Sequence, residues 1–158
     1  MRFIKTKEKG LKENYLELHY DEIDDETKEY ISRIDRNLAH IEGTCDNNRV
    51  TVPLSDVMYF ESVDRRTFAY TDSRTIEFRD TLRDLLERFG DIGFVRVSKS
   101  TVVNVYKIDH LQGDLNMRVI IFLKNGEKLI MNRGYKKEFF AELERMRGKT
   151  RHETDKQT

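Results

Sequence analysis

Two short polar breaks in otherwise apolar runs carry the residues best suited to chemistry in this chain. The first is Ser98-Lys99-Ser100-Thr101, inside FVRVSKSTVVNVYKI, and the second is Asn132-Arg133-Gly134-Tyr135, inside NGEKLIMNRGYKKEF. Both fall where a strand would turn. Lys, Arg, Asn and Ser offer donors that suit phosphate oxygens and base edges, and short loops can hold them forward from a rigid sheet. The chemistry these residues suggest is binding to nucleic acid.

Catalysis has weaker support. It requires a nucleophile, a base and an orienting group to converge. The four histidines, His19, His40, His110 and His152, are scattered, and no HExxH, GxSxG, GxxxxGKS or CxxC spacing occurs. The acidic runs Asp21–Glu26 and Asp80–Glu87 read as helix starts and solvated faces. We therefore expect no enzyme activity, no cofactor and no metal. The single Cys45 cannot build a disulfide framework or a zinc site alone.

Net charge is zero, but its distribution is uneven. Residues 93–137 hold nine Lys or Arg against three Asp or Glu, whereas residues 1–46 hold eight against twelve. The positive segment is the one that contains both polar breaks, as expected of an electrostatic footprint for a polyanion. No apolar run approaches the ~20 residues of a membrane span, and no signal-peptide core follows Met1. A cytoplasmic location is expected.

The elements that position these residues follow from periodicity. Asn14–Tyr20 alternates and predicts a short strand. Asp24-Asp25-Glu26 supplies a cap and first-turn carboxylates for a helix over 25–41, with Tyr30, Ile31, Ile34, Leu38 and Ile41 on one stripe. Gly43 fits its termination, and Cys45–Arg49 reads as a boundary loop. Strand patterns follow at Val50–Leu54, Val57–Val63, Thr67–Thr71 and Arg74–Phe78. Thr81 then caps a helix over 81–89, with Leu82, Leu85, Leu86 and Phe89 on one face. Further strands are predicted at Phe94–Ser98, Val102–Val105, Ile108–Leu111, Met117–Leu123 and Glu127–Met131. The last two are joined through Asn125-Gly126, a strong hairpin signal. A final helix over 135–147 carries Phe139, Phe140, Leu143 and Met146.

These segments, in this order, resemble the LytTR-type DNA-binding domain of bacterial regulators. The resemblance covers roughly residues 48–147. It rests on Val57-Met58-Tyr59-Phe60-Glu61-Ser62, the Leu82/Leu85/Leu86 helix, Phe94, Arg96, Val97, Lys99, Ser100 and Asn104, the Asn-Gly hairpin, and Asn132-Arg133-Gly134-Tyr135. Ser98 stands where many relatives carry His, and Asn132 where they carry Ser.

The resemblance implies a mostly β fold, an elongated stack of small antiparallel sheets with short helices and no DNA-reading helix. It implies a transcriptional regulator whose loops enter the major groove of double-stranded DNA, commonly at repeated sites bound by two copies. By that analogy the DNA-binding residues are Arg65, Arg66, Ser98, Lys99, Ser100, Asn132, Arg133, Lys136 and Lys137. Arg133 is the base reader, since a guanidinium matches the O6/N7 edge of guanine. Lys136 and Lys137 lie beside the backbone, and Asn104 satisfies buried backbone groups.

Three segments are expected: a strand–helix extension over 1–46 that regulates or dimerises, the DNA-binding domain over 47–147, and a disordered tail over 148–158. Short regulators of this shape resemble those restrained by a small membrane protein. The alternative from another class is a protein-interaction β-sandwich with a basic edge.

Overall fold

The computed structural model describes residues 4–113 and 116–154, with side chains through Arg145. Among these residues ten strands form two antiparallel sheets, accompanied by three α-helices.

The larger sheet contains β1 (His40–Cys45), β2 (Asn48–Pro53), β3 (Tyr59–Val63), β4 (Arg66–Tyr70), β5 (Thr75–Phe78), β6 (Phe94–Arg96) and β7 (Thr101–Asn104), in the spatial order 2-1-5-4-3-7-6. The smaller has β9 (Val119–Leu123) between β8 (Ile108–Gly113) and β10 (Lys128–Met131). Helix α1 spans Asp25–Leu38, α2 Leu82–Phe89 and α3 Lys136–Thr154.

Two cores lie on opposite faces of the large sheet. One gathers Ile41, Phe60, Ile76 and Phe94 under Leu82, Leu85 and Phe89 of α2. The other gathers Met58, Val95 and Val103 under Ile121, Met131 and Phe139, from the small sheet and α3. Strand β7 is therefore covered on both sides, and all four of its residues are buried. This explains why its sequence, TVVN, does not alternate. In strand β4 the buried Thr67 and Ala69 alternate with more exposed neighbours, Ala69 joining the first core and Tyr70 packing against the second.

The helix caps work as their residues predict. The Asp24 carboxylate accepts from the Thr27 amide at 2.7 Å, and Thr81 with Asp84 forms a reciprocal capping box at the start of α2. Both carboxyls are held below their ordinary pKa, chiefly by these hydrogen bonds.

The N-terminal region departs from expectation in three ways. Asn14–Tyr20 forms no strand, since no strand among the described residues pairs with it and all but Leu18 are exposed. Helix α1 stops at Leu38, so Ile41 belongs to β1, where it is 1% exposed in the first core. Residues 40–53 form a hairpin, turning through Asp46-Asn47 at φ 49° and 65°. Asp and Asn tolerate this left-handed region, which a two-residue hairpin needs.

Gly43 is accordingly not a helix stop. A Cβ there would lie 2.4 Å from Ile76 Cγ2 and 2.6 Å from the Glu77 carbonyl oxygen, so glycine lets β1 approach β5. A boundary between 46 and 47 thus cuts through a hairpin whose first strand sits inside the sheet.

Part of the α1 stripe packs on its own chain. Tyr30, Ile31 and Ile34 are half-buried, while Leu38 stays exposed. From the same helix, the Arg36 guanidinium lies 3.5 Å over the Tyr106 ring. That ring in turn covers Gly93, where φ is +103° and a Cβ would meet Tyr106 at 2.4 Å.

At the other end α3 continues past Gly148 to Thr154. Lys149, Arg151 and Glu153 are good helix formers, and proline is absent from this stretch. The expected disordered tail therefore falls partly on this helix, while residues 155–158 lie outside the described ones. On α3, Phe139 is buried but Phe140 is 41% exposed.

Candidate nucleic-acid interface

Three connections, from distant parts of the sequence, meet at one end of the large sheet. The first is the β3–β4 hairpin, turning through Asp64-Arg65 at φ 49° and 64°. The second is the β6–β7 loop with Ser98, Lys99 and Ser100. The third is the β10–α3 junction, a 3-10 turn over Arg133–Tyr135. Main-chain hydrogen bonds tie them together. The Ser62 amide donates to the Ser100 carbonyl at 2.8 Å, and the Asn132 amide donates to the Val97 carbonyl at 2.9 Å.

The β6–β7 loop is also braced from within. The amides of Val97 and Ser98 both donate to the Thr101 carbonyl, at 3.0 and 3.3 Å. The Ser100 amide donates to Ser98 Oγ at 3.1 Å, and the two hydroxyls lie 3.4 Å apart. Arg96 Nη1 donates to the Lys99 carbonyl at 3.0 Å. The serines thus shape the loop, and Lys99 is left exposed at its tip. In sequence Arg96 stands only as part of a motif; its bracing role depends on a loop conformation that spacing does not reveal.

The expected site residues separate by what already holds them. Arg65, Lys99, Arg133 and Lys137 are exposed and make no ion pair among the described residues. Asn132 is exposed beside Arg133, and its carbonyl accepts from the Tyr135 amide at 3.0 Å. Arg66 is different. Its guanidinium makes a two-pronged ion pair with Glu77 across β4 and β5, and it lies 5.5 Å over the Phe68 ring. The Glu77 carboxyl is held below its ordinary pKa, first through its hydrogen bond with Arg66. Arg66 thus stabilises the sheet locally.

Lys136 is also occupied, its ammonium donating to the Met117 carbonyl. Met117 sits just before β9 at φ 59°. Lys137, one residue on, points to solvent.

At the end of β7 away from the loops, Asn104 is 2% exposed and hydrogen-bonded through both ends of its amide. Its Nδ2 donates to the Val57 carbonyl at 2.8 Å, and its Oδ1 accepts from the Tyr106 amide at 3.1 Å. It fixes β7 against the entrance to β3. Tyr59 and Tyr70 stack nearby with centroids 4.4 Å apart. Burial, then the neighbouring Glu127 carboxylate, pushes the Tyr59 hydroxyl far above its ordinary pKa, so it stays a proton donor. Among the described residues no group of three or more His, Cys, Asp or Glu side chains could hold a metal ion. No helix there is long and apolar enough to cross a membrane.

The arrangement is a row of unpaired cations on three braced loops at the end of a sheet. A polyanion of regular spacing would meet several of them at once. No two α-helices are consecutive among the described residues, so a helix-turn-helix does not supply this surface.

Comparison with known proteins agrees. Two HTH-type transcriptional regulators from strains of Staphylococcus aureus, both named as uncharacterised, are similar to this chain. One is 27% identical over 143 residues, covering 89% of this chain and 95% of the relative. The other is 26% identical over 133 residues, covering 83% and 90%. A match over 89% of the chain leaves out too few residues to miss α1, so the similarity reaches that helix. A solved LytTr DNA-binding domain from Bacillus cereus superposes with a TM-score of 0.63 at 24% identity, over 66% of this chain and 96% of that one. That likeness bears on the fold. The pattern of the LytTr DNA-binding domain matches residues 47–144, and the chain belongs to that family.

Proposed function

We propose that this protein is a sequence-specific transcriptional regulator that reads duplex DNA in the major groove through the three loops. The observation that carries this reading is the contrast among its cations. Arg66, Arg88 and Arg145 are spent on carboxylates elsewhere, whereas Arg65, Lys99 and Arg133 face outward unpaired at the joined loop ends. Arg133 is the base reader. Lys99 and Lys137 bind phosphates, and Ser98, Ser100 and Asn132 set the loop shape. Arg66 and Lys136 support the surface from behind.

Transcriptional control is the role in the names of the staphylococcal relatives, and the family match supplies DNA binding. Two copies acting on repeated sites, a location in the cytoplasm, and restraint by a small membrane protein fit this reading and extend it.

The test is selection of bound fragments from a random duplex pool, followed by titration of the recovered site against salt. A recovered motif with a steep salt dependence is expected. Recovery of no motif, with elution from duplex DNA at low salt, would instead favour a protein-interaction module.

A further inference from the structure

Among the described residues the largest group of exposed apolar side chains lies before α1. Tyr15, Leu16 and Tyr20 are 62%, 58% and 50% exposed, and Ile4, Leu11 and Ile23 are also open to solvent. Yet Asn14–Tyr20 has the alternation of a half-buried strand: Leu16, Leu18 and Tyr20 on one side, Tyr15, Glu17 and His19 on the other. Glu17 and His19 already touch, with Oε2 and Nε2 3.3 Å apart, as residues two apart on one side of an extended chain would. What the segment lacks is a neighbouring strand.

Its own sequence supplies one. Consider two copies running antiparallel about a two-fold axis. With the axis at Glu17, two carboxylates stand directly opposite each other, which is destabilising. With the axis between two residues, the apolar side of one strand meets the polar side of the other, since a one-residue slip exchanges the faces. With the axis at Leu18 neither problem arises. Leu18 faces Leu18, Leu16 faces Tyr20, and both strands contribute to one apolar face. On the reverse face each Glu17 carboxylate stands opposite the partner's His19, giving two symmetric acid–imidazole pairs.

We propose that Asn14–Tyr20 is a dimerisation strand, pairing antiparallel with the same segment of a second copy on a two-fold axis at Leu18. The contact is isologous, as closed dimers require. A two-stranded ribbon is marginal alone, so Ile4, Leu11 and Ile23 of both copies complete its apolar cover. The inference rests on the reading that two copies act together on DNA. Joining them at residues 14–20 raises the effective concentration of the second domain at a neighbouring site and leaves all three loops free.

Disulfide trapping tests the register. In the full chain carrying Cys45→Ser, the variants Leu18→Cys, Glu17→Cys and His19→Cys are oxidised mildly and resolved without reductant. Leu18→Cys should form covalent dimer several-fold faster than Glu17→Cys or His19→Cys alone, because directly opposed residues fall within disulfide reach and residues displaced by two do not. Mixing Glu17→Cys with His19→Cys should restore the fast rate. Equal rates at the three positions, or no dimer at any, would overturn the proposal.

Binding of the same preparations to a single duplex site is measured in parallel. Loss of DNA binding with selective Leu18→Cys trapping would count against the functional reading and leave the pairing intact. The converse result would remove the pairing alone.

Discussion

The amide of Asn132 and the carbonyl of Val97, 2.9 Å apart, join the exit of the small sheet to the loop that bears Lys99. Because Val97 is buried and Asn132 is followed by exposed Arg133, this bond fixes Arg133, the proposed base reader, relative to the lysine loop. The two cations are positioned as a pair by backbone, without any contact between their own side chains.

Arg133→Ala should weaken binding to the selected site by about 1–3 kcal/mol and relax preference at one base position, as expected when a bidentate guanine contact is lost. Titration against the site and its single-base variants reads both effects. Unchanged affinity and preference in a folded variant would show that another residue reads the base.

Lys137→Ala and Lys136→Ala should differ although they are neighbours. Lys137 is free to meet a phosphate, so its loss should weaken binding to all sequences alike and flatten the salt slope by about one unit. The ammonium of Lys136 is held by the Met117 carbonyl. Its loss should change the slope less and should lower stability to denaturant instead. Equal slopes for the two variants would contradict this division.

Asn104→Ala strands the Val57 carbonyl and the Tyr106 amide at the end of β7 away from the loops. The expected cost is about 1–3 kcal/mol for a buried group left unpaired, read from urea unfolding. Affinity of the folded fraction should fall much less, since Asn104 does not reach solvent.

The Arg66–Glu77 pair makes a pH-dependent contribution of predictable sign. The folded carboxyl is held below its ordinary value, so its stabilisation is present above the unfolded carboxylate pKa and is lost as pH falls through the lowered one. In a carboxyl NMR titration, Arg66→Gln should move the Glu77 midpoint upward, while DNA affinity stays close to that of the parent. A large loss of affinity would return Arg66 to the interface.

Truncations separate the N-terminal elements. A chain beginning at Ala39 keeps β1 between β2 and β5 and should fold, losing the Arg36–Tyr106 contact. One beginning at Asn47 loses that strand and the burial of Ile41, a core loss of about 2–5 kcal/mol on the scale of large-to-alanine substitutions. Thermal unfolding of the two should differ accordingly. Similar melting would show that β1 contributes little.

Much of this fold is legible in the sequence because its signals are local. Thr81, Asn125-Gly126, and the β-rich run Thr67–Thr71 each specify an element whose neighbours then follow. The first strand was not legible. Ile41 continues the helical spacing of Ile31, Ile34 and Leu38, and only pairing with β5 moves it into a sheet. The reverse holds at Asn14–Tyr20, where alternation is present but no strand among the described residues pairs with it. For the interface, residue types indicated two of the loops, and the family resemblance supplied the one with Arg65 and Arg66. Which cations are free could not be read, because the Glu77 that occupies Arg66 and the Met117 carbonyl that occupies Lys136 lie 11 and 19 residues away in sequence.

The pairing of β3 with β7 also bears on how the protein is made. Tyr59 meets Val103 and Glu61 meets Thr101 across about forty residues of chain, and the last of the three loops waits for Asn132. Contacts this distant in sequence form slowly and late. A growing chain on the ribosome therefore cannot assemble the complete surface until Asn132 and the start of α3 have emerged. Incomplete products with Lys99 already present would still lack the backbone tie that aligns it with Arg133. Competence for DNA thus waits for the emergence of Asn132 and the start of α3.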